Sequence, residues 1–284
     1  MNSSKFVLLI NAREAIEEIL SPIIKERGLT PLAVSAHDFL AAEYKFECGD
    51  VPTTGWINFP EHGKRIKLQS IAGSFAGWLN LDIDSDSMSQ FEFQEILAFI
   101  AFVRQNAGRA VNPPNENMIS TNCGSLPEQW ETLRSTDASV RIPSWRLDGP
   151  ANPPIRNDEI AVRDIMNPRL RKKNDVYEND KNSLLVEEPR GVLSSCAFVG
   201  QNQHHVRVSE NGVEPVDVLS DTHDRFTEVI QALRRIYSLD YGEISYAYLG
   251  DVLFWSVAPH LPVEHAGKDS FQPLIERLVE EFTI

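Results

Sequence analysis

The adjacent pair His204-His205 is the most conspicuous chemistry-bearing feature of this 284-residue chain. Neighbouring residues on a strand point to opposite faces, so these two imidazoles do not chelate one metal ion. His223, His260 and His265 are scattered, and no Asp, Glu or Cys at motif spacing completes a ligand set. The pair is read as surface or half-buried histidines. Nucleophilic serine chemistry needs a hydroxyl on a sharp turn between glycines, and Gly73-Ser74 and Gly124-Ser125 each lack the second glycine. Cys48, Cys123 and Cys196 are far apart and form no CxxC, which leaves neither a disulfide framework nor a zinc site; Cys196, in an apolar run, is read as core. Asp82-Ile83-Asp84-Ser85-Asp86-Ser87 lacks the glycine and closing glutamate of a calcium loop and is read as a solvated helix entry. Trp56, Trp78, Trp130, Trp145 and Trp255 have no basic groove around them, so packing is the expected role.

The bulk properties agree with this modest inventory. A net charge of −14 argues against general affinity for nucleic acid or anionic lipid. Arg169-Leu170-Arg171-Lys172-Lys173 is the local exception, read as a solvated loop that a phosphate could use. Hydrophobic and charged fractions of 42% and 24% are ordinary for a globular protein. No apolar stretch reaches the roughly 18 residues of a membrane span. The run after Lys5 is too short for a signal-peptide core, and a cytoplasmic location is expected.

The elements that must position any site follow from periodicity. Lys5–Ile10 predicts a strand and Arg13–Arg27 a helix, which Pro22 should kink or divide; a strand at Pro31–Ser35 completes a βαβ unit and a parallel sheet. The turn Asn11-Ala12-Arg13-Glu14 has no glycine, so a dinucleotide site there is not expected. Strands are predicted over Gly63–Leu68 and Ser70–Leu79, a helix over Phe91–Gln105, and a strand from Ala110 to Asn112 ending at Pro113-Pro114. After a short helix at Pro127–Arg134 comes an extended segment at Val140–Pro143. A Pro-, Asn- and charge-rich stretch then runs from Asp148 to Asn182, with Ile160-Ala161-Val162 as its best strand. Leu184–Val186, Ser194–Val199 and His204–Val208 read as strands, and Thr222–Tyr237 as an amphipathic helix. A hairpin turns at Gly250-Asp251, and Phe271–Glu281 is a closing helix.

Four segments in this order carry a resemblance. They are Val111-Asn112-Pro113-Pro114 with Arg141-Ile142-Pro143-Ser144; Leu184–Gly200 (LLVEEPRGVLSSCAFVG); Leu239-Asp240-Tyr241-Gly242-Glu243-Ile244; and Phe254-Trp255-Ser256-Val257-Ala258-Pro259. Together they resemble the ATP-grasp superfamily, in particular the ribosomal-protein glutamate ligases and the ligases that macrocyclise peptides. The resemblance implies an α/β protein with an N-terminal α/β domain over 1–110. An ATP-grasp-like middle and lid subdomain would cover 111–182, and an ATP-grasp-like C-terminal subdomain 183–284.

Enzymes of that superfamily phosphorylate a carboxylate with ATP and pass the acyl phosphate to an amine, so Mg²⁺ and cationic side chains must hold the phosphoryl group. The resemblance places three Mg²⁺ ligands at Ser245, Ser256 and Ala258, which supply two neutral hydroxyls and a methyl. Asp240 and Glu243 are expected to precede the strand, and Asp251 to sit at the hairpin tip. No lysine lies between Val111 and Arg134 for the phosphates; Arg163 stands where a second phosphate-binding lysine is implied. Leu193 and Ser195 fall nearest an implied acid and arginine, while Glu187 or Glu188 retains the hinge acid that meets adenosine. Trp255 would lie beside the former metal site and fill the space of the absent nucleotide. The expectation is therefore a catalytically degenerate ATP-grasp relative that binds a peptide, a carrier or another protein partner, such as an active ATP-grasp ligase, with no metal or cofactor. The alternative is an active ATP-dependent carboxylate–amine ligase using ATP and Mg²⁺, with phosphates held by Arg163 and the 169–173 cluster.

Overall fold

The computed structural model describes residues 5–12, 14–49, 52–77, 90–114, 123–148, 158–162, 183–209, 212–215, 220–262 and 269–282. Arg163, the 169–173 cluster, the acidic loop at 82–87, Trp78 and His265 lie outside them. Two compact units form: one of residues 1–122, 238–241 and 259–284, the other of 123–237 and 242–258.

In the first unit, β1 (Phe6–Ile10), α1 (Glu14–Glu26) and β2 (Thr30–Val34) make the expected βαβ unit, with β1 and β2 parallel. Val7 to Ile10 are buried, as a central strand covered on both faces requires. Helix α1 continues through Pro22, so the proline does not divide it. Pro22 and Glu18, whose carbonyl loses its donor, both face solvent, while Ile16, Leu20, Ile23 and Ile24 are buried. Water satisfies the freed carbonyl, and burial of four aliphatic side chains, at about 1.5–3 kcal/mol each, outweighs the proline penalty of about 3 kcal/mol.

Next comes α2 (Ala36–Ala41), opened by a capping box between Ser35 and Asp38. Strands β3 (Glu43–Glu47), β4 (Thr54–Phe59) and β5 (Lys64–Lys67) form a small antiparallel sheet in the order β3-β4-β5. Strand β6 (Ile71–Ala76), helix α3 (Gln90–Asn106) and the two-residue β7 (Arg109–Ala110) complete a parallel sheet ordered β2-β1-β6-β7. The predicted strand at 110–112 is this short because Asn112 adopts a left-handed backbone, φ 48°. One core joins Leu8, Ile10, Phe39, Ile57, Phe59, Ile96 and Ile100.

The second unit contains α4 (Leu126–Arg134), β8 (Trp145–Asp148), β9 (Glu159–Val162) and β10 (Ser183–Glu187), the strands forming an antiparallel sheet ordered β8-β10-β9. Strands β11 (Val192–Val199), β12 (Asn202–Ser209), β13 (Gly212–Pro215), β14 (Tyr241–Tyr248) and β15 (Val252–Ala258) form a five-stranded sheet ordered β13-β12-β11-β14-β15. Helix α5 (Ser220–Tyr237) packs Phe226 against His205 and Tyr246 of this sheet. The last helix, α6 (Gln272–Glu281), belongs to the first unit and packs on α1. Among the described residues, no helix is long and apolar enough to cross a membrane.

Candidate functional site

Two features of the second unit converge near its long hairpin. The first is the face of β14 and β15 that carries Glu243, Ser245, Ser256 and Ala258. Glu243 lies opposite Ala258, and Ser245 opposite Ser256. Glu243 does not precede the strand, as the sequence suggested, but sits inside it. Gly242 permits this: a Cβ there would come within 2.9 Å of both Ala258 O and the Phe198 ring, so only glycine lets the chain enter the sheet two residues early. The buried Glu243 carboxylate accepts a hydrogen bond from Ser195 Oγ at 2.5 Å.

After Ser245 the register slips, so that Tyr246 faces Phe254 and Trp255 becomes the extra residue of a bulge. Its backbone carbonyl accepts the Trp130 indole N–H at 2.6 Å, and the two rings meet edge to face with centroids 5.8 Å apart. The partner filling the space around Trp255 is therefore a helix α4 side chain. The same helix closes the outer edge of β15. Gln129 donates through Nε2 to Val257 O at 3.1 Å and accepts at Oε1 from Val257 N at 2.8 Å, as a neighbouring strand would. Farther along, Arg141 bridges to β15 through Val252 O and Phe254 N, both at 2.9 Å.

The second feature is a cavity of about 580 Å³ between the β8-β10-β9 sheet and the hairpin tip. Its charged lining comprises Arg141, Arg146, Arg190, Asp158, Glu159, Glu187 and Asp251, with Trp145 and Leu249 among the apolar walls. Arg146 grips Glu159 with two hydrogen bonds, 3.0 and 2.9 Å, and Arg141 pairs with Glu187. Glu187 also accepts from Ser144 N at 3.2 Å, while its own N–H donates to Ser144 O at 2.8 Å. Gly191 bounds this region: a Cβ there would strike Tyr248 O at 2.1 Å.

An N-terminal α/β unit followed by two antiparallel sheets around a cleft can be compared with solved structures. The macrocyclase MdnC from Microcystis aeruginosa MRC, bound with precursor peptide MdnA, matches at TM-score 0.72 and 13% identity, over 98% of this chain and 99% of that one. The fold is that of the ATP-grasp ligases. The RiPP-associated ATP-grasp ligase of Chryseobacterium gregarium, in complex with ADP and a leader and core peptide, matches at TM-score 0.68 and 12% identity over 97% and 96% of the two chains. The ATP-grasp ligase PsnB, complexed with precursor peptide PsnA2 and AMPPNP, matches at TM-score 0.69 and 14% identity over 99% of each. No protein-family model and no curated protein matches the chain.

Within this ATP-grasp fold, the implied ligand positions Ser245 and Ser256 are brought face to face, with Ala258 one pair away opposite Glu243. Of the residues assigned to a nucleotide, Glu187 lines the cavity, Glu188 follows it and donates its N–H to Asp158 O at 2.7 Å, and Arg163 lies outside the described residues. Sequence reasoning missed Arg146, Arg190, Glu159 and Gln129. Arg146 and Glu159 belong to the two outer strands of a sheet and meet across β10, a relation with no local signature.

The histidine pair is split as strand geometry requires, His204 opposite Ala197 and His205 opposite Cys196, but both are buried and not at the surface or half-buried as the sequence suggested. Gln203 Nε2 donates to Thr227 Oγ1 at 2.8 Å, which turns its Oε1 toward His205 Nε2 at 3.0 Å. His205 Nδ1 then accepts from the Tyr246 hydroxyl at 2.9 Å, so the ring is held neutral. Burial, followed by His223 and His204, pushes its pKa from 6.5 down to about 3. Because the folded value lies below the unfolded one, this histidine's stabilisation is present above pH 6.5 and fades as pH falls toward about 3. From pH 7 to pH 5, urea unfolding of the wild type is expected to lose about 2 kcal/mol more than that of His205→Phe. Equal losses would show that His205 is not buried neutral.

Proposed function

We propose that the chain is a catalytically degenerate ATP-grasp protein that binds a peptide or a protein partner, for example an active ATP-grasp ligase. The observation that carries this reading is the donor set on β14 and β15. Mg²⁺ selects hard, preferably anionic oxygens. Ser245, Ser256 and Ala258 offer two neutral hydroxyls and a methyl, and the one carboxylate beside them, Glu243, is engaged by Ser195. Among the described residues, no group of three His, Cys, Asp or Glu side chains is placed to hold a metal ion. Among the described residues, the donors on this face of β14 and β15 do not fit a magnesium–nucleotide pair.

The cavity points the same way. Among the described residues, three guanidinium groups face four carboxylates, and Arg141 and Arg146 are already neutralised by Glu187 and Glu159. A triphosphate entering there would have to break those pairs, at the cost of leaving Glu187 and Glu159 without their cationic partners. A peptide, which carries both charges and apolar side chains, suits a mixed lining with Trp145 and Leu249 better. MdnC, PsnB and the Chryseobacterium gregarium ligase were each solved with a peptide, which supports peptide binding as the retained capacity of the fold.

Calorimetry with ATP and Mg²⁺ is expected to give no binding tighter than about 1 mM. Saturable micromolar binding, or ADP release on adding a peptide, would replace this reading with that of a working ligase.

A further inference from the structure

The β3-β4-β5 sheet of the first unit turns one face to the core and the other outward. Ile57, Phe59 and Ile66 are buried, and the alternation of the strands places Trp56, Asn58, Arg65 and Lys67 on the opposite side. There the register sets Lys67 opposite Trp56 and Arg65 opposite Asn58. Arg65 reaches diagonally over the indole, its guanidinium carbon 4.0 Å from the ring centroid. Trp56 is half-buried, whereas Arg65 and Lys67 are exposed.

The carboxylates of this face are already engaged. Glu43 accepts from Asn58 Nδ2 at 3.2 Å, and Glu47 pairs with Lys45 at 3.3 Å. Among the described residues, Arg65 and Lys67 have no carboxylate partner. Two such cations beside a tryptophan are a local reversal on a chain of net charge −14. A guanidinium seated on a ring keeps its in-plane N–H donors for a second partner, and those donors match the two oxygens of a carboxylate. Arg65 and Lys67 alternate along one strand, so they leave the face about 7 Å apart. An extended segment with an acid at every second residue has the same repeat. A nucleic acid would need a positive track for several phosphates, which two cations flanked by Glu43 and Glu47 do not give.

We infer that the face formed by Trp56, Arg65 and Lys67 is a docking surface for an extended acidic segment of a protein partner. Arg65 takes one carboxylate and Lys67 the next but one, while the indole covers the apolar chain between them. Both ion pairs are exposed, so binding is weak and falls with added salt. The inference concerns the first unit and does not rest on the reading of the cavity in the second.

Fluorescence anisotropy on the full chain tests it, with a labelled peptide alternating Glu and Thr at low salt. A dissociation constant below about 1 mM is expected, and Arg65→Glu and Lys67→Glu should each raise it by about tenfold. Arg65→Lys should raise it by about threefold, since an ammonium keeps the charge but cannot hold a carboxylate in two places. The double variant Arg65→Glu/Lys67→Glu is expected to bind the matching Lys–Thr peptide more tightly than the wild type does, a gain that misfolding would not give. No binding up to about 1 mM, single variants that bind like the wild type, or a double variant without that gain would each overturn the assignment. Binding lost in Arg146→Glu but kept in Arg65→Glu would move the peptide to the second unit's cavity, so that this inference fell while the proposed function stood. A labelled oligothymidylate held more tightly than the acidic peptide, and released by the same variants, would make the face a nucleic-acid surface and sink the assignment as well.

Discussion

Asn112→Ala is expected to destabilise the first unit by about 3–5 kcal/mol, read from urea unfolding followed by tryptophan fluorescence. Asn112 is fully buried, and its side chain holds a segment that is distant in sequence. Oδ1 accepts from Asp240 N at 2.7 Å and Tyr241 N at 3.1 Å, Nδ2 donates to Tyr241 O at 2.9 Å, and the Asn112 backbone N–H donates to Asp240 Oδ2 at 2.8 Å. Truncation removes the partner of one buried donor, Tyr241 N, one half-buried donor, Asp240 N, and one buried acceptor, Tyr241 O, and forces alanine into a left-handed backbone of φ 48°. Asn112→Gly separates the two causes: it removes the clamp but accepts the backbone, and should recover about 1 kcal/mol relative to alanine. Losses below about 1 kcal/mol in both variants would mean that the clamp does not form. The neighbouring cation reinforces this corner. Arg104, fully buried and pushed down to about 10 by desolvation, donates to Ser74 Oγ and to the carbonyls of Val111 and Asn112.

In the second unit, Trp130→Ala should cost about 3–5 kcal/mol and should lower the stability of that unit selectively. Trp130 is wholly buried, its ring lies 6.4 Å from Trp145 and 5.8 Å from Trp255, and its N–H is committed to the Trp255 carbonyl. Alanine leaves a cavity that the rigid edge of β15 and helix α4 cannot collapse. Trp130→Phe keeps most of the volume and loses the indole donor, so its cost, about 1–3 kcal/mol, reports the hydrogen bond. If Trp255→Ala left stability unchanged while Trp130→Ala did not, the bulge tryptophan would not be the packing partner described. Parallel losses in the two variants are the expected result.

Periodicity alone was enough to locate α1, α3, α5 and α6, because a buried helical face repeats every three or four residues. The hairpin was legible from Gly250-Asp251, and the separation of His204 from His205 from the two-residue repeat of a strand. The order of four weak motifs carried the ATP-grasp resemblance, and with it the implied magnesium-ligand positions Ser245, Ser256 and Ala258. Strands β3 and β4 and helix α2 escaped, because each spans six residues or fewer, too short to show a period. Nor was it legible whether Pro22 would divide its helix: that depends on which face its missing hydrogen bond meets, and that face is a tertiary fact.

Packing alone decided how distant segments were matched. Asn112 was visible as part of a motif, but its grip on Tyr241 crosses 129 residues. Gln129 gave no sign that it would act as a strand for Val257, 128 residues away. Glu243 entered its strand only because Gly242 leaves room against Ala258 and Phe198. A local pattern records which face of an element is buried, whereas register, edge closure and the pairing of buried polar groups are set by what arrives opposite, and no stretch of chain contains its own opposite face.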